Sequence, residues 1–174
     1  MNKQTQIREN IKPLVILLAS ADDKVRRKAR KSLVAVGKPA VSSLSEALQN
    51  SKVYKARWEA AKALGVIGDV KAIPSLVKAL EDPKTDVVWL AAEALKKFRK
   101  TAWPELLNAL IQRGSESVML RNAAHHVFLK QKEVGFNDLL AVLLKTLESG
   151  AVTESTPIAA SNILKKLREH SVHN

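Results

Sequence analysis

The most regular stretch of this 174-residue chain reads Arg57-Trp-Glu-Ala-Ala-Lys-Ala-Leu-Gly-Val-Ile-Gly-Asp69 and continues Val70-Lys-Ala-Ile-Pro-Ser-Leu-Val-Lys-Ala-Leu80. Small and branched apolar residues recur in its first half at the spacing of one face of an α-helix. Gly65, Gly68 and Asp69 are residue types that end a helix, and Pro74 lies in the first turn of the next apolar segment, where a missing N–H is tolerated. The stretch therefore predicts two short helices joined by a tight corner.

The same pattern is repeated along the chain. Arg57-x-x-Ala60-x-x-x-Leu64 has an earlier counterpart in Arg26-x-x-Ala29-x-x-x-Leu33, and weaker copies follow downstream. The step from Arg26 to Arg57 is the length of one two-helix unit, and such a period indicates a stacked array. We predict one domain spanning residues 1–174, with five repeats at about 11–37, 38–69, 70–100, 101–132 and 133–170. The expected helices lie near 11–20 and 24–36, 39–49 and 53–67, 71–81 and 86–99, 102–113 and 118–130, and 135–148 and 156–169.

These repeats resemble HEAT repeats of the short kind that is also found in phycobiliprotein lyases. In that family a Pro-containing first helix and an Asp-bearing turn precede a second helix that opens Val-Arg-x-x-Ala-Ala-x-Ala-Leu-Gly. Val25-Arg26 and residues 60–65 and 91–95 carry the resemblance best. It covers nearly the whole chain, and it implies an all-α fold, a right-handed α-solenoid whose second helices line a concave surface.

The resemblance also implies a structural role for three arginines at one repeat position. Arg26, Arg57 and Arg121 should hydrogen-bond turn residues in a structural ladder. Val88 and Pro157 replace arginine in the third and fifth repeats, so the ladder should be interrupted there.

The composition limits the chemistry of the chain and indicates an acidic partner. No cysteine is present, which excludes disulfides, thiolate zinc sites, iron–sulfur clusters and cysteine nucleophiles. The formal net charge is +12, and residues 1–100 hold 21 Lys/Arg against 10 Asp/Glu, while residues 101–174 hold 8 against 7. This asymmetry favours nucleic acid, an anionic membrane surface or an acidic protein as partner, although solubility alone also accounts for a basic chain.

The N-terminal region superficially resembles a secretion signal. Lys3 and Arg8 precede a short apolar run at 14–18, but Glu9 and Pro13 interrupt the approach and the run fits the first helix of the first repeat. No apolar stretch reaches the length that a membrane span needs. We therefore expect a cytoplasmic protein.

Helical geometry predicts which side chains of the second helices face outward. We expect Val25, Ala29 and Leu33 to face the core. The cations that lie between them in the sequence then point to the opposite side of the helix; they are Arg27, Lys28 and Lys31. The position of Arg27 becomes tryptophan in the next two repeats. We predict a binding surface, called here the tryptophan–lysine surface, formed by Arg27, Lys28, Lys31, Trp58, Lys62 and Trp89. The alternative is that both tryptophans pack over neighbouring helices.

The other candidate features of the sequence are a third tryptophan, a histidine pair and a second apolar ridge. Trp103 occupies an apolar-stripe position and is expected in the core, and the adjacent pair His125-His126 lacks a third ligand, so we predict no metal. No pair of carboxylates suits general acid–base chemistry. A second apolar ridge, expected to face a protein partner or another copy, consists of Leu107, Ile111, Leu140 and Leu144.

The sequence favours a non-enzymatic interaction or scaffold module without a cofactor, which binds an acidic protein through the tryptophan–lysine surface. The first alternative is nucleic-acid binding, as in HEAT-like DNA glycosylases, although only Glu59 and Glu93 lie near the tryptophans and no catalytic aspartate does. The second alternative, suggested by resemblance alone, is an accessory subunit of a chromophore lyase-type complex. The partner's identity and the oligomeric state stay open.

Overall fold

A computed structural model describes residues 3–148 and 151–172, with side chains for 10–148 and 151–170. Within these ranges the chain forms ten α-helices and four short 3-10 helices and no β-strand, which confirms the all-α prediction. The α-helices are α1 Lys3–Leu17, α2 Asp23–Val36, α3 Val41–Asn50, α4 Tyr54–Ile67, α5 Ile73–Lys78, α6 Thr85–Phe98, α7 Trp103–Arg113, α8 Val118–Phe128, α9 Asn137–Leu147 and α10 Ser155–Val172. The 3-10 helices are η1 Lys38–Ala40, η2 Val70–Ala72, η3 Ala79–Glu81 and η4 Arg99–Ala102.

The helices agree with the predicted ones in number and order, and the differences lie at their ends. The first helix begins at Lys3, two turns before the predicted start at position 11. The first helices of the second, third and fourth repeats each open with a 3-10 turn, η1, η2 and η4. A proline lies within or just after each of these turns and removes a backbone donor, which a 3-10 or first-turn position tolerates.

The chain divides into two compact units, Met1–Lys97 and Phe98–Asn174. The boundary lies close to the predicted junction of the third and fourth repeats. The expectation of a single domain and the right-handed superhelical arrangement both stay predictions.

In the first unit, one repeated position of the second helices always lies in the core. Leu33, Leu64 and Leu95, one in each of three successive repeats, are all 0% exposed. Burying each leucine side chain stabilises the fold by roughly 1.5–3 kcal/mol. Helix α4 packs against α3 of its own repeat and against α2 of the preceding one. This stacking of one second helix on the next is the arrangement that the sequence period predicts.

Gly65 has a different role from the predicted helix end. It lies inside α4, which continues to Ile67, and a Cβ at this position would come 2.9 Å from the Cβ of Ala94 in α6. The Nζ of Lys97 also donates to the Gly65 carbonyl oxygen at 3.3 Å. The missing side chain therefore allows α4 and α6 to approach closely.

A positive φ angle recurs just after the second helices, at one equivalent position of successive repeats. Gly37 has φ 72°, Gly68 has φ 67°, Arg99 has φ 50° and Lys130 has φ 67°. A residue in the left-handed region commonly ends an α-helix, and glycine adopts it without steric cost. The positive φ angle therefore recurs at Arg99 and Lys130, although neither residue is a glycine.

The second unit has an aromatic core around Trp103, for which a core position was predicted. Trp103 is 1% exposed, and its ring meets those of Phe128 and Phe136 edge-on, with centroids 5.9 Å apart in both pairs. Its indole N–H donates to the side-chain oxygen of Gln131 at 3.3 Å. The buried ring therefore also satisfies its one polar group.

The second apolar ridge is not a free surface, contrary to the prediction. Leu107 is 0% and Leu140 is 2% exposed, and Ile111 and Leu144 are half-buried. Helix α10 packs against both α7 and α9 and covers this ridge. The buried hydroxyl of Thr156 in α10 donates to the carbonyl oxygen of Thr146 at 3.1 Å. The extra leucines therefore serve the core of the second unit.

Candidate protein-interaction surface

The three arginines at one repeat position hold the turns that precede their own helices. Nη1 of Arg26 donates to the carbonyl oxygens of Ser20 at 2.7 Å and Ala21 at 2.8 Å. Nη1 of Arg121 donates to those of Gly114 at 2.7 Å and Ser115 at 3.1 Å. A guanidinium group offers five donors in a fixed plane, so one side chain can hold several turn carbonyls at once.

Arg57 also reaches the turn of the following repeat. Its Nη1 donates to the Ser51 carbonyl oxygen at 2.9 Å, while its Nε and Nη2 donate to the two carboxylate oxygens of Asp82 at 2.6 and 2.9 Å. The hydrogen bond and charge of Asp82 raise the pKa of Arg57 against the opposing effect of burial. Asp82 in turn accepts from the backbone N–H of Lys84. This aspartate therefore links two repeats and caps the corner before α6.

The cations of α2 in the tryptophan–lysine surface are exposed. Arg27, Lys28 and Lys31 all lie at the surface of the first unit. Nη2 of Arg27 contacts the Asp23 carboxylate at 2.7 Å, with both side chains more than half exposed. An exposed ion pair of this kind contributes at most about 1 kcal/mol. A partner carboxylate can therefore compete for Arg27 at small cost.

The two outward tryptophans differ in their surroundings. Trp58 is half-buried, and the Nζ of Lys62 lies 4.6 Å from the centre of its ring. Trp89, at the same position one repeat later, is 55% exposed. A tryptophan ring attracts an ammonium group through its quadrupole, so the contact with Lys62 favours this arrangement of the two side chains. Trp89 is the largest exposed aromatic surface among the described side chains.

A buried ion pair between α2 and α4 was not predicted from the sequence. Nε of Arg30 donates to Oε2 of Glu59 at 2.6 Å, and Glu59 is only 1% exposed. Glu59 occupies the position of Lys28, for which an outward direction was predicted, so that prediction is wrong for the second repeat. This position faces the second helix of the preceding repeat, which for α4 is α2. Glu59 is therefore enclosed by Arg30 and does not lie open beside the tryptophans.

The remaining sequence features add no further site. His125 and His126 are half-buried, and no group of three or more His, Cys, Asp or Glu suited to a metal ion occurs among the described residues. In the same part of the chain, no helix combines the length and the apolar character that crossing a membrane requires.

Comparison with known proteins agrees with the geometry of the repeats. A family model for HEAT repeats matches residues 11–96 and 41–127, which together are more than half of the chain. The phycocyanobilin lyase subunit alpha of Nostoc sp. (strain PCC 7120 / SAG 25.82 / UTEX 2576) is similar, at 37% identity over 75 residues. That match covers 42% of this chain and 27% of the relative, so the chain spans about a quarter of the relative's length. No solved structure matches. The two-helix repeats, their recurrent leucine core and the matching family model show that the chain belongs to the HEAT-repeat family.

Proposed function

We propose that the protein is a non-enzymatic interaction module that binds an acidic protein partner through the tryptophan–lysine surface. HEAT repeats suggest a protein-interaction scaffold, and the exposure of Trp89, at the repeat position that Arg27 occupies in α2, is the observation that supports this surface. Tryptophan and arginine are the residue types most enriched among those that dominate binding energy at protein interfaces.

The packing of the first unit supports a continuous surface. Helix α2 packs on α4, and α4 approaches α6 at Gly65 and Ala94, so we expect equivalent positions on the three helices to lie on one side of the unit. Arg27, Trp58 and Trp89 share one such position, and Lys31 and Lys62 share another. We expect the lysines and Arg27 to accelerate encounter with an acidic partner, and the tryptophans to slow its release.

A second candidate function is supported by the relative from Nostoc. That relative is named a lyase subunit, and the present chain resembles part of it. The corresponding proposal is an accessory subunit of a chromophore lyase-type complex, in which the partner protein is another subunit of that complex. This candidate keeps the same surface and changes only the identity of the partner.

The test is affinity capture from a lysate of the source cells with three immobilised full-length proteins. The first is the wild type and the second is Trp58→Ala/Trp89→Ala. The third is Lys71→Glu/Lys78→Glu, which alters exposed lysines of η2 and α5. Proteins retained by the wild type and by the lysine control, but lost from the tryptophan variant, would be identified by mass spectrometry and purified for direct titration.

The expected result is an acidic protein whose affinity falls at least about 30-fold for the tryptophan variant, the effect of losing about 2 kcal/mol at an interface. A partner that binds all three proteins equally would contradict the proposal. Nucleic acid is tested separately by fluorescence anisotropy with a labelled DNA duplex. Binding that weakens steeply with salt and is lost in Arg27→Glu/Lys28→Glu/Lys31→Glu would replace the protein partner with nucleic acid.

A further inference from the structure

The first repeat exposes a helix position that the second repeat buries against the repeat before it. Glu59 of α4 faces α2 and is 1% exposed, whereas Lys28, its equivalent in α2, is exposed. Lys28 lies two residues before Arg30, which pairs with Glu59, and two residues of an α-helix are about 200° apart around its axis. Lys28 therefore points to the side of α2 that is turned away from α4.

The first helices of the repeats show the same difference. The hydroxyl of Ser75 in α5 donates to that of Ser45 in α3 at 3.0 Å, so this side of α5 faces the preceding repeat. Ala79 follows Ser75 by four residues, lies on the same side and is 7% exposed. Its equivalent in α1 is Leu17, which is 42% exposed. A larger apolar side chain therefore lies at the surface where the third repeat has a buried alanine.

Ile16 extends this exposed apolar area. It is 73% exposed, and its equivalents in the next two repeats are the exposed charged residues Glu46 and Lys78. An uncovered face of a repeat array usually carries polar residues. Neighbouring exposed apolar side chains with polar residues around them mark a surface that another protein covers. The exposed side of the first repeat thus differs from a purely solvent-facing one.

The charges around this apolar area are positive. Lys12, Lys24 and Lys28 are exposed, and no ion pair engages their ammonium groups among the residues that the structure describes. The nearby carboxylates are occupied, since Asp22 accepts from the backbone N–H of Lys24 and Asp23 contacts two arginines of α2. A second copy placed face to face would add the same lysines, and like charges oppose such an association.

We propose that Ile16, Leu17, Lys24 and Lys28 form a stacking face, which binds an amphipathic helix of a partner protein with a carboxylate opposite Lys28. The packing of α2 on α4 supplies the geometry, because there Arg30 of one helix meets a glutamate of the next. The signs are reversed on the stacking face, so the partner helix carries an acidic residue where α2 has Arg30. The stacking face includes neither tryptophan and is independent of the tryptophan–lysine surface in its effect.

The test uses the full chain and helical peptides copied from α2, since α2 covers the equivalent side of α4. The acidic peptide comprises residues 23–36 with Lys24→Gln, Lys28→Gln and Arg30→Glu, and the comparison peptide differs only in retaining Arg30. A hydrocarbon staple joins positions 27 and 31 in both peptides, because helices this short are marginal in water. Fluorescence anisotropy of each labelled peptide, titrated with protein at low salt, gives the affinities.

We expect the wild type to bind the acidic peptide about five-fold more tightly than the comparison peptide, the effect of about 1 kcal/mol from one exposed ion pair. Lys28→Glu should remove or reverse this preference. Leu17→Ala should weaken both peptides, since it removes the apolar contact. Lys78→Glu is the matched control, because it makes the same charge change on an exposed lysine of α5 and should keep the preference.

Three results would overturn the proposal. The first is that neither peptide binds, and the second is a preference that Lys28→Glu leaves unchanged or that Lys78→Glu also removes. The third is a wild-type dimer that Leu17→Ala dissociates in sedimentation experiments, which would assign the stacking face to a second copy of the chain. Circular dichroism shows that each variant is folded. Because no titration depends on Trp58 or Trp89, failure here leaves the proposed function to be decided by the capture experiment.

Discussion

Arg57 and Asp82 form a two-pronged ion pair between the second and third repeats, with N–O distances of 2.6 and 2.9 Å and side chains that are 11% and 6% exposed. The guanidinium plane matches the carboxylate, and the remaining donors hold the turn at Ser51. Ser51 is also the equivalent of Asp82 in the preceding repeat. Arg26 therefore lacks an aspartate to reach in the second repeat, and it contacts Asp23 of its own helix instead.

Removing either partner of the Arg57–Asp82 pair should strongly destabilise the first unit. We expect Arg57→Ala and Asp82→Ala each to lower the free energy of unfolding by about 3–5 kcal/mol, because each leaves a charged group enclosed without its partner. Urea denaturation followed by circular dichroism measures the loss. Arg27→Ala is the matched control, since its ion pair with Asp23 is exposed, and it should change stability by less than about 1 kcal/mol. Equal losses in all three variants would show that burial does not determine how much an ion pair contributes to stability.

The Arg30–Glu59 pair allows a different prediction, because an apolar replacement can fill its space. Glu59→Gln should cost about 3 kcal/mol, since it leaves the charge of Arg30 largely buried. The double variant Arg30→Met/Glu59→Leu should recover most of this loss or exceed the wild type in stability. Chemical denaturation of the three proteins gives the comparison. A double variant less stable than Glu59→Gln would mean that the ion pair itself, beyond its packing, stabilises the contact between α2 and α4.

The sequence was sufficient to predict the helices and their repetition because both follow from local periodicity. Leucine at 33, 64 and 95 and arginine at 26, 57 and 121 identify equivalent positions without knowledge of long-range contacts. The exposure of Trp89 and the burial of Trp103 also follow from their positions relative to the apolar stripe.

The sequence was insufficient where a side chain's surroundings depend on a neighbouring helix. Lys28 and Glu59 share one repeat position, yet one is exposed and the other is buried, because only Glu59 has a second helix packed on that side. The ridge at Leu107 and Leu140 has the composition of an interface, and its cover is α10 of the same chain. In both cases the deciding contact joins residues that are distant in sequence.

The recurring positive φ angle predicts where glycine should stabilise the protein. Lys130 and Arg99 adopt φ values of 67° and 50° at positions equivalent to Gly68 and Gly37. A non-glycine residue in the left-handed region costs about 1–2 kcal/mol, part of which is offset by the greater freedom of glycine in the unfolded chain. We therefore expect Lys130→Gly to raise the free energy of unfolding by about 0.5–1 kcal/mol.

The reverse substitution supplies the control for this prediction. Gly68→Ala should lower stability by about 1 kcal/mol, although nothing lies within 4 Å of the added Cβ, since the strain comes from the backbone alone. Thermal and urea denaturation of both variants give the two values. If Lys130→Gly is destabilising, the Lys130 side chain must make contacts that outweigh the strain of its backbone.

Substitutions of Trp89, which is exposed, and of Trp103, which is buried, should distinguish an effect on binding from an effect on stability. Trp89 is 55% exposed and Trp103 is 1% exposed, so Trp103→Ala should cost about 3–5 kcal/mol by leaving a large cavity, while Trp89→Ala should cost less than about 1 kcal/mol. Acrylamide quenching provides an independent readout, because Trp89→Phe should remove the most accessible part of the emission and Trp103→Phe should remove the least accessible part. If Trp89→Ala unfolds the protein, or if Trp89→Phe leaves quenching unchanged, the ring serves the core of the first unit. A surface that loses its partner without losing stability on Trp89→Ala is the outcome expected of an interaction module, because residues that dominate binding need not contribute to folding.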